Sequence, residues 1–303
     1  MNYPDIFFTA EYQELFKETA FGGEPCHFAF AGMDYRFYKR LIEGTSYFDI
    51  VSPYGYSGPI RMGEADITYL AQFHQYCLEN NIVAEFARLH PFLENHMYLE
   101  SDSIRHEHKV YYIDLAQSLE QIWEGYDKGC KSAIKKAHRN LIVIETQSSQ
   151  VLAEFNGLYY QTMTRLGAEA GYIFNCQKFP LGKWVNLVCA LENEKMIAGA
   201  LILYCGDYAH YFLSASLPNN LGATNMVIDR AIIWAGAKGC KVFNLGGGLE
   251  AGDKLESFKR SFSHMFKPFY TYRKIHNLTV YNELCYGKGK NSKSEGYFPA
   301  YRR

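Results

Sequence analysis

The chain has 303 residues, enough for about two domains, and its 48% hydrophobic and 21% charged residues are those of a packed globule rather than a disordered or collagen-like chain. No apolar run approaches the roughly 20 residues that cross a bilayer, and Met1–Ile6 lacks the basic-then-apolar pattern of a secretory signal, so a soluble, cytoplasmic protein is expected. The net charge of −1 hides an asymmetry: residues 251–303 hold 11 Lys/Arg against 4 Asp/Glu, and the first 250 hold 20 against 28, which suggests a phosphate-bearing partner for the basic end.

In chain order, His27–Ala31 and Tyr35–Ile42 read as strands joined through Gly32-Met33-Asp34, followed by a strand over Tyr47–Val51. A Pro/Gly loop, Pro53-Tyr-Gly-Tyr-Ser-Gly-Pro59, leads to an amphipathic helix near Asp66–Glu79 and a strand over Ile82–Leu89. Strand Val110–Leu115, helices near Ser118–Asp127 and Gly129–Asn140, strand Leu141–Glu145 and helix Ser148–Leu166 come next. Strands Asn186–Leu191, Met196–Tyr204 and Tyr208–Ser214 then precede a loop, a helix over Ala223–Lys238 and strand Lys241–Leu245. Hairpin, strand, loop, helix and strand therefore occur twice, the mark of an internal duplication. The expected organisation is two α/β lobes, 1–147 and 148–285, with a basic, solvated tail over 286–303.

Eight cysteines without paired spacing read as buried thiols in a reducing compartment. The 25 tyrosines and 21 phenylalanines suit either a stacking surface or an aromatic core. Familiar chemistries fail on their spacing. Gly55-Tyr-Ser-Gly-Pro59 lacks the last glycine of a nucleophile elbow, and the glycines from Gly247 are followed by Asp253 where a phosphate loop needs lysine. Gly246-x-Gly-x-x-Ala251 has no βαβ unit after it, and the histidines form no zinc-ligand pattern, so no metal site is expected.

Three features carry chemistry. Lys128, Lys131, Lys135 and Arg139 share one helix face opposite Cys130, Ile134, Ala137 and Leu141, a ridge able to hold phosphates; the spacing serves a solvated helix face equally well. Phe243-Asn-Leu-Gly-Gly-Gly248 places three glycines at a strand end, where backbone N–H groups can meet a ligand closely. The helix after Asp253, its N-cap, has Leu255, Phe258 and Phe262 as an apolar face, with Lys259 at its border. That lysine is either partly desolvated beside the glycines or snorkelling to water. The turn Leu221-Gly222-Ala223 offers helix N-terminal amides to an anion, a signal that any strand-to-helix turn shares.

Taken in order, these segments resemble the FemAB/FemX family of peptidyltransferases. The resemblance covers about residues 3–275 and includes Ile6-Phe-Phe-Thr-Ala-Glu-Tyr12, Pro53–Pro59, Tyr112-Ile-Asp-Leu115 and Lys131-Ser-Ala-Ile-Lys-Lys-Ala137. It continues with Thr162-Met-Thr-Arg165 and, most specifically, Phe243–Gly248 with Phe258-Lys-Arg-Ser-Phe262. It implies two tandem GNAT-like lobes, each a mixed, largely antiparallel sheet flanked by helices, and an N-acyltransferase. In that family an aminoacyl ester on tRNA is attacked by an amine of a peptidoglycan-type precursor. By the resemblance, Lys259 would stabilise transition-state charge; Lys17 and Arg165 would grip precursor phosphates, and Tyr208, Tyr54 and Gly246–Gly248 would line the site. Lys128, Lys131, Lys135 and Arg139 would meet tRNA, and no cofactor would be tightly bound.

The sequence departs from the family in lacking a helical-hairpin arm and in its longer loop over 53–59. Its pyrophosphate turn, Asn219-Asn-Leu-Gly-Ala-Thr224, differs from the GNAT pattern at both ends, which counts against ordinary acetyl-CoA binding. An acyl-CoA-dependent N-acyltransferase acting on an amino sugar is the alternative enzyme, and a glycan- or nucleotide-sugar-binding lobe pair the non-catalytic one. An attacking ammonium must first lose a proton. His90 and Asp253 are candidate bases, and otherwise the substrate assists its own deprotonation. Lys259 and the Gly246–Gly248 amides would hold the oxyanion, where one donor is typically worth about 3–4 kcal/mol.

Overall fold

The computed structural model describes residues 3–64, 68–218, 221–292 and 296–302. In chain order its elements are α1 (Ala10–Phe16), β1 (Glu24–Phe30), β2 (Met33–Leu41), β3 (Phe48–Val51), β4 (Ile60–Arg61), α2 (Tyr69–Glu79) and β5 (Ile82–Arg88). These are followed by β6 (Ile104–Asp114), α3 (Leu119–Gly125), α4 (Lys128–Asn140), β7 (Ile142–Thr146), α5 (Ser149–Arg165), β8 (Val185–Glu192) and β9 (Lys195–Cys205). The last are β10 (Tyr208–Ser216), α6 (Ala223–Ala237), β11 (Val242–Gly246), α7 (Lys254–Arg260), β12 (Phe266–Ile275) and α8 (Leu278–Gly287). Asp66 and Ile67, in the expected start of α2, and Asn219 and Asn220, in the expected pyrophosphate turn, lie outside the described residues.

Local chemistry explains the element ends. The β1–β2 hairpin turns at Ala31-Gly32, both with positive φ (48° and 74°), the primed turn whose twist suits two strands. Ser118 and Gln121 form a reciprocal capping box at the start of α3, and Ser148 caps α5.

By packing, the chain divides into two compact units: Met1–Ile6 with His108–Lys267, and Phe7–Glu107 with Pro268–Arg303. This differs from a single cut at residue 147. The difference arises because the chain returns: β12 pairs antiparallel with β5, Thr271 opposite Arg88, so the last segment packs with the first hundred residues.

The unit built from Phe7–Glu107 and Pro268–Arg303 carries strands in the order β1-β2-β3-β5-β12, with β4 also on β2. Its β3 and β5 run parallel on either side of α2, and the other named pairs are antiparallel. Tyr35, Phe37, Ile50, Phe73 and Ile82 fill one core beneath α2. Residues 286–291 are exposed, as expected of a solvated tail, but its end is not: Ala300 and Tyr301 dock into a second cluster with Val83, Val280 and Tyr281. Arg302 ties this end down, donating from Nε to Asp49 (2.7 Å) and from Nη2 to the Leu41 carbonyl (2.9 Å).

The unit containing His108–Lys267 has the order β6-β11-β10-β9-β8-β7. Here β10 and β11 are parallel around α6, while β6, β7, β8 and β9 add antiparallel pairs. The parallel pair around a helix is thus common to both units, which is the duplication the pattern predicts. Its core is formed by Ile113, Ile134, Ala137, Ile202, Val227, Ile232, Phe243, Leu245 and Phe262. Tyrosine abundance is largely interior, with Tyr12, Tyr35, Tyr38 and Tyr281 fully buried. All eight cysteines are free thiols, and burial pushes Cys176 and Cys189 up to about 12. Among the described residues, no helix is long and apolar enough to cross a membrane.

The α4 stripe gives a first prediction. Ile134 is fully buried, so Ile134→Ala should cost about 2–5 kcal/mol in urea unfolding. Exposed Lys135, one position away, should tolerate alanine within about 0.5 kcal/mol.

Candidate active site

The site is built where β11 ends. Gly246 has φ +78°, a conformation open to glycine, and a β-carbon there would lie 2.9 Å from the Lys259 ammonium nitrogen. A β-carbon on Gly247 would fall 2.4 Å from both His108 Cδ2 and the Lys109 carbonyl oxygen of β6. One on Gly248 would meet Asp253 Oδ1 at 2.5 Å. Each glycine therefore makes room for a different neighbour.

Beyond the turn, Asp253 caps α7. Its Oδ1 accepts from Glu256 N (2.6 Å), and its Oδ2 from Leu249 N (2.7 Å) and Glu250 N (3.2 Å). These backbone donors, Glu256 foremost, hold its carboxyl below the usual range. Asp253 is thereby a cap and a poor proton acceptor, which counts against it as the general base. Glu256 ties the helix to the sheet, accepting from Tyr111 Oη (2.8 Å) and from Gly252 N (2.5 Å). Phe262 is buried and Phe258 packs edge-on against it at 5.5 Å, whereas Leu255 is exposed. The apolar face is therefore narrower than the expected three residues, because α7 has only seven residues and its first turn faces water.

Lys259 stands at this junction and donates from Nζ to the Gly247 carbonyl oxygen at 2.6 Å. The residue retains some accessible surface, while its ammonium end is crowded by the Gly246–Gly247 backbone. Desolvation lowers its pKa to about 8, with Asp253 acting weakly in the opposite sense. An ammonium has three N–H donors; the Gly247 carbonyl takes one of them. The Gly246 N–H is itself donated to Asn244 Oδ1 (2.8 Å), so the expected set of three glycine amides is reduced by one.

Behind the turn runs a buried chain that sequence reasoning missed. Asn244 Nδ2 meets His210 Nδ1 at 3.0 Å, and His210 Nε2 meets Asp5 Oδ2 at 2.7 Å. All three side chains are at most 2% exposed. Asp5 lies 205 residues from His210, and His210 sits singly in an aromatic strand, so spacing offered no signal. Asn244 belonged to the quoted Phe243–Gly248 segment, but nothing in it pointed to a partner.

The other expected residues of this unit are spread out. Tyr208 begins β10 level with Val242, so about 13 Å of strand separates its level from Gly246; burial pushes its phenol up to about 12. Arg165 ends α5 and donates from Nη2 to the carbonyl of Ser216 (2.9 Å), at the end of β10 towards which β11 also runs. On α4, Cys130, Ile134 and Ala137 are buried while Lys128, Lys135 and Arg139 are exposed, as the spacing predicts. Lys131 differs: it is partly buried and its Nζ donates to the Glu124 carbonyl (2.8 Å). Gly222 starts α6 with φ +75°, and a β-carbon there would lie 2.4 Å from the Ala133 carbonyl oxygen.

In the unit with Phe7–Glu107, Lys17 ends α1 in an ion pair with Glu14 that raises its pKa. Tyr54 packs on Phe16 and Phe21, and its carbonyl accepts from Tyr12 Oη (2.6 Å). This unit also carries Arg36 on β2 and Arg88 on β5. Ser57 bridges their strands, donating from Oγ to the Arg36 carbonyl (3.2 Å) and from N to the Arg88 carbonyl (2.6 Å). The Arg88 guanidinium lies over the rings of Phe21 and Phe86. His90 is buried, and its Nδ1 accepts from Phe92 N (3.2 Å). That bond occupies one ring nitrogen of this candidate base.

No protein-family profile matches the sequence, and no curated protein matches it either. Solved structures do match the fold. FemX superposes with a TM-score of 0.69 at 11% identity, over 92% of this chain and 94% of that one. The C-terminal domain of a putative lysylphosphatidylglycerol synthetase from Agrobacterium fabrum gives 0.61 at 14% identity, over 91% of each chain. L-PGS from Bacillus licheniformis gives 0.59 at 13% identity, over 92% and 95%. The chain therefore has the double-GNAT-like fold of these structures.

The crowding at Gly247 is directly testable. With backbone oxygen and a ring carbon both 2.4 Å from the new methyl, Gly247→Ala should destabilise the protein by about 1–3 kcal/mol. Thermal and urea denaturation read the change, and an unaltered midpoint would contradict the packing described.

Proposed function

We propose that this protein is an N-acyltransferase that moves an aminoacyl group from tRNA to an amine of a peptidoglycan-type precursor. The observation that carries the reading is Lys259: a partly desolvated ammonium at a glycine turn, in a chain with the fold of FemX. Attack of an amine on an ester carbonyl builds negative charge on the carbonyl oxygen, and a preorganised cation in a poorly solvated place stabilises that charge. The Gly247 and Gly248 N–H groups belong to the same turn whose Gly247 carbonyl takes the ammonium. The acceptor ammonium loses its proton before attack, and with Asp253 saturated by backbone donors the substrate or solvent takes that proton.

The start of α6 favours tRNA over acyl-CoA as donor. The turn before α6 departs from the GNAT pyrophosphate pattern at its first and last positions, Asn219 and Thr224, and the Ala133 backbone crowds Gly222. The exposed cations of α4 suit a polyanion. A second acceptor class is favoured by the two lysylphosphatidylglycerol synthetase structures, whose name describes a lysyl group on a phospholipid. In that case the acceptor is a headgroup hydroxyl and the product an ester.

A donor panel decides among these readings: aminoacyl-tRNAs and acyl-CoAs are offered with amine acceptors or with phosphatidylglycerol vesicles, and mass gain is read. Transfer from tRNA to an amine is the expected result. Transfer from acyl-CoA alone, or from neither donor, would contradict the proposal, and lipid gain alone would select the second acceptor.

Lys259→Met should lower kcat by about 10²–10³-fold. Because the protonated form is the active one and its pKa is about 8, activity should fall as pH rises through about 8, whereas an ordinary lysine would stay charged to about 10. Lys259→Arg, which does not titrate, should abolish that alkaline limb in the kcat–pH profile.

For the ridge, replacing Lys128, Lys135 and Arg139 together by alanine should flatten the slope of log K for tRNA against log salt by about 2–3. Filter binding from low to physiological salt measures it, and an unchanged slope would remove α4 from the tRNA surface.

A further inference from the structure

Asp5, His210 and Asn244 are three polar side chains buried together, a costly placement unless each finds partners. The hydrogen bonds that join them to one another, to Gly246 and to Ile6 fit one assignment. The Gly246 N–H can only donate, so Asn244 presents its carbonyl oxygen to it. The remaining amide nitrogen of Asn244 then donates to His210 Nδ1, which must be the unprotonated nitrogen. The ring proton therefore resides on Nε2 and goes to the Asp5 carboxylate, whose other oxygen accepts from Ile6 N (2.6 Å). Such a chain fixes both the tautomer of the histidine and the orientation of the amide.

The end point is what gives the chain a purpose. Gly246 is held with positive φ, and the next residue presents the carbonyl that grips Lys259. Rotating the peptide before Gly246 would move that carbonyl and admit water to the ammonium. We propose that Asp5, His210 and Asn244 are positioning residues that lock the Gly246–Gly248 turn and so hold the Lys259 ammonium in place. The inference rests on the reading of Lys259 as the catalytic cation for its activity arm alone. Among the described residues, the charged and titratable groups near the turn include Glu250 and the N-cap Asp253, Glu256 and Arg260 of α7, and His108, Lys109 and Tyr111 of β6; all remain intact in the variants below.

The test uses the full-length protein and two readouts. The pH dependence of Lys259 acetylation by acetic anhydride, read by peptide mass spectrometry, reports the ammonium directly; kcat and KM report its use. His210→Phe and Asn244→Ala cut the chain, whereas His210→Gln keeps a donor for Asp5 and an acceptor for Asn244. Leu213→Ala, in the core on the same strand, controls for lost stability.

Wild type and His210→Gln should titrate near 8, and the two cutting variants about one unit or more higher, as water returns to the ammonium. Their kcat should fall by about tenfold or more with KM within about twofold, since misplacement of a catalytic group acts on the chemical step. A Lys259 midpoint unchanged in folded His210→Phe and Asn244→Ala would overturn the proposal, as would an equal shift in Leu213→Ala. If His210→Phe does not fold, Asn244→Ala and Asn244→Ser carry the comparison. Normal turnover by Lys259→Met alongside shifted midpoints would sink the catalytic reading and leave the positioning role standing; the converse pattern would do the reverse.

Discussion

The ammonium of Lys259 rests 2.6 Å from the Gly247 carbonyl oxygen and is partly desolvated, and the neighbouring structure is arranged to bear that desolvation. A charged group in such a place persists only if the atoms about it are fixed. Three glycines leave no side chain in the way, Asp253 fastens the first turn of α7, and the Tyr111–Glu256 bond joins that helix to β6.

The fold places this junction by a simple route. Parallel strands β10 and β11 bracket α6, and a parallel pair needs a crossover of this kind. Both strands therefore end on the same side of the sheet, where loops carry the functional groups. The other unit repeats the device with β3, α2 and β5. There the strand after the helix, β5, is followed by Leu89 and His90 instead of a glycine turn with a lysine, so the two copies of the frame differ where the candidate site lies.

Much of this frame was legible in the sequence because periodicity reports burial. The α4 stripe of Cys130, Ile134 and Ala137, the strands β8 to β10 and the glycine turn before α7 are local patterns with local causes. Elements whose reason is distant were not legible. β12 carries Pro268 and three basic residues and makes sense only beside β5. The burial of Tyr301 depends on Tyr281 and Val83. The Asp5–His210–Asn244 chain depends on contacts across most of the sequence, and no spacing rule reaches that far. Lys259 was an intermediate case: its position beside an apolar face was visible, but the carbonyl that holds it was not.

The central claim is that the structure withholds water from one particular lysine. Heteronuclear NMR of protein labelled with 13C and 15N in lysine follows the Lys259 Nζ resonance through a pH titration and reads its charge without any substrate. The account predicts a midpoint near 8, well separated from the surface lysines. A midpoint at the ordinary lysine value of about 10.4 would contradict it.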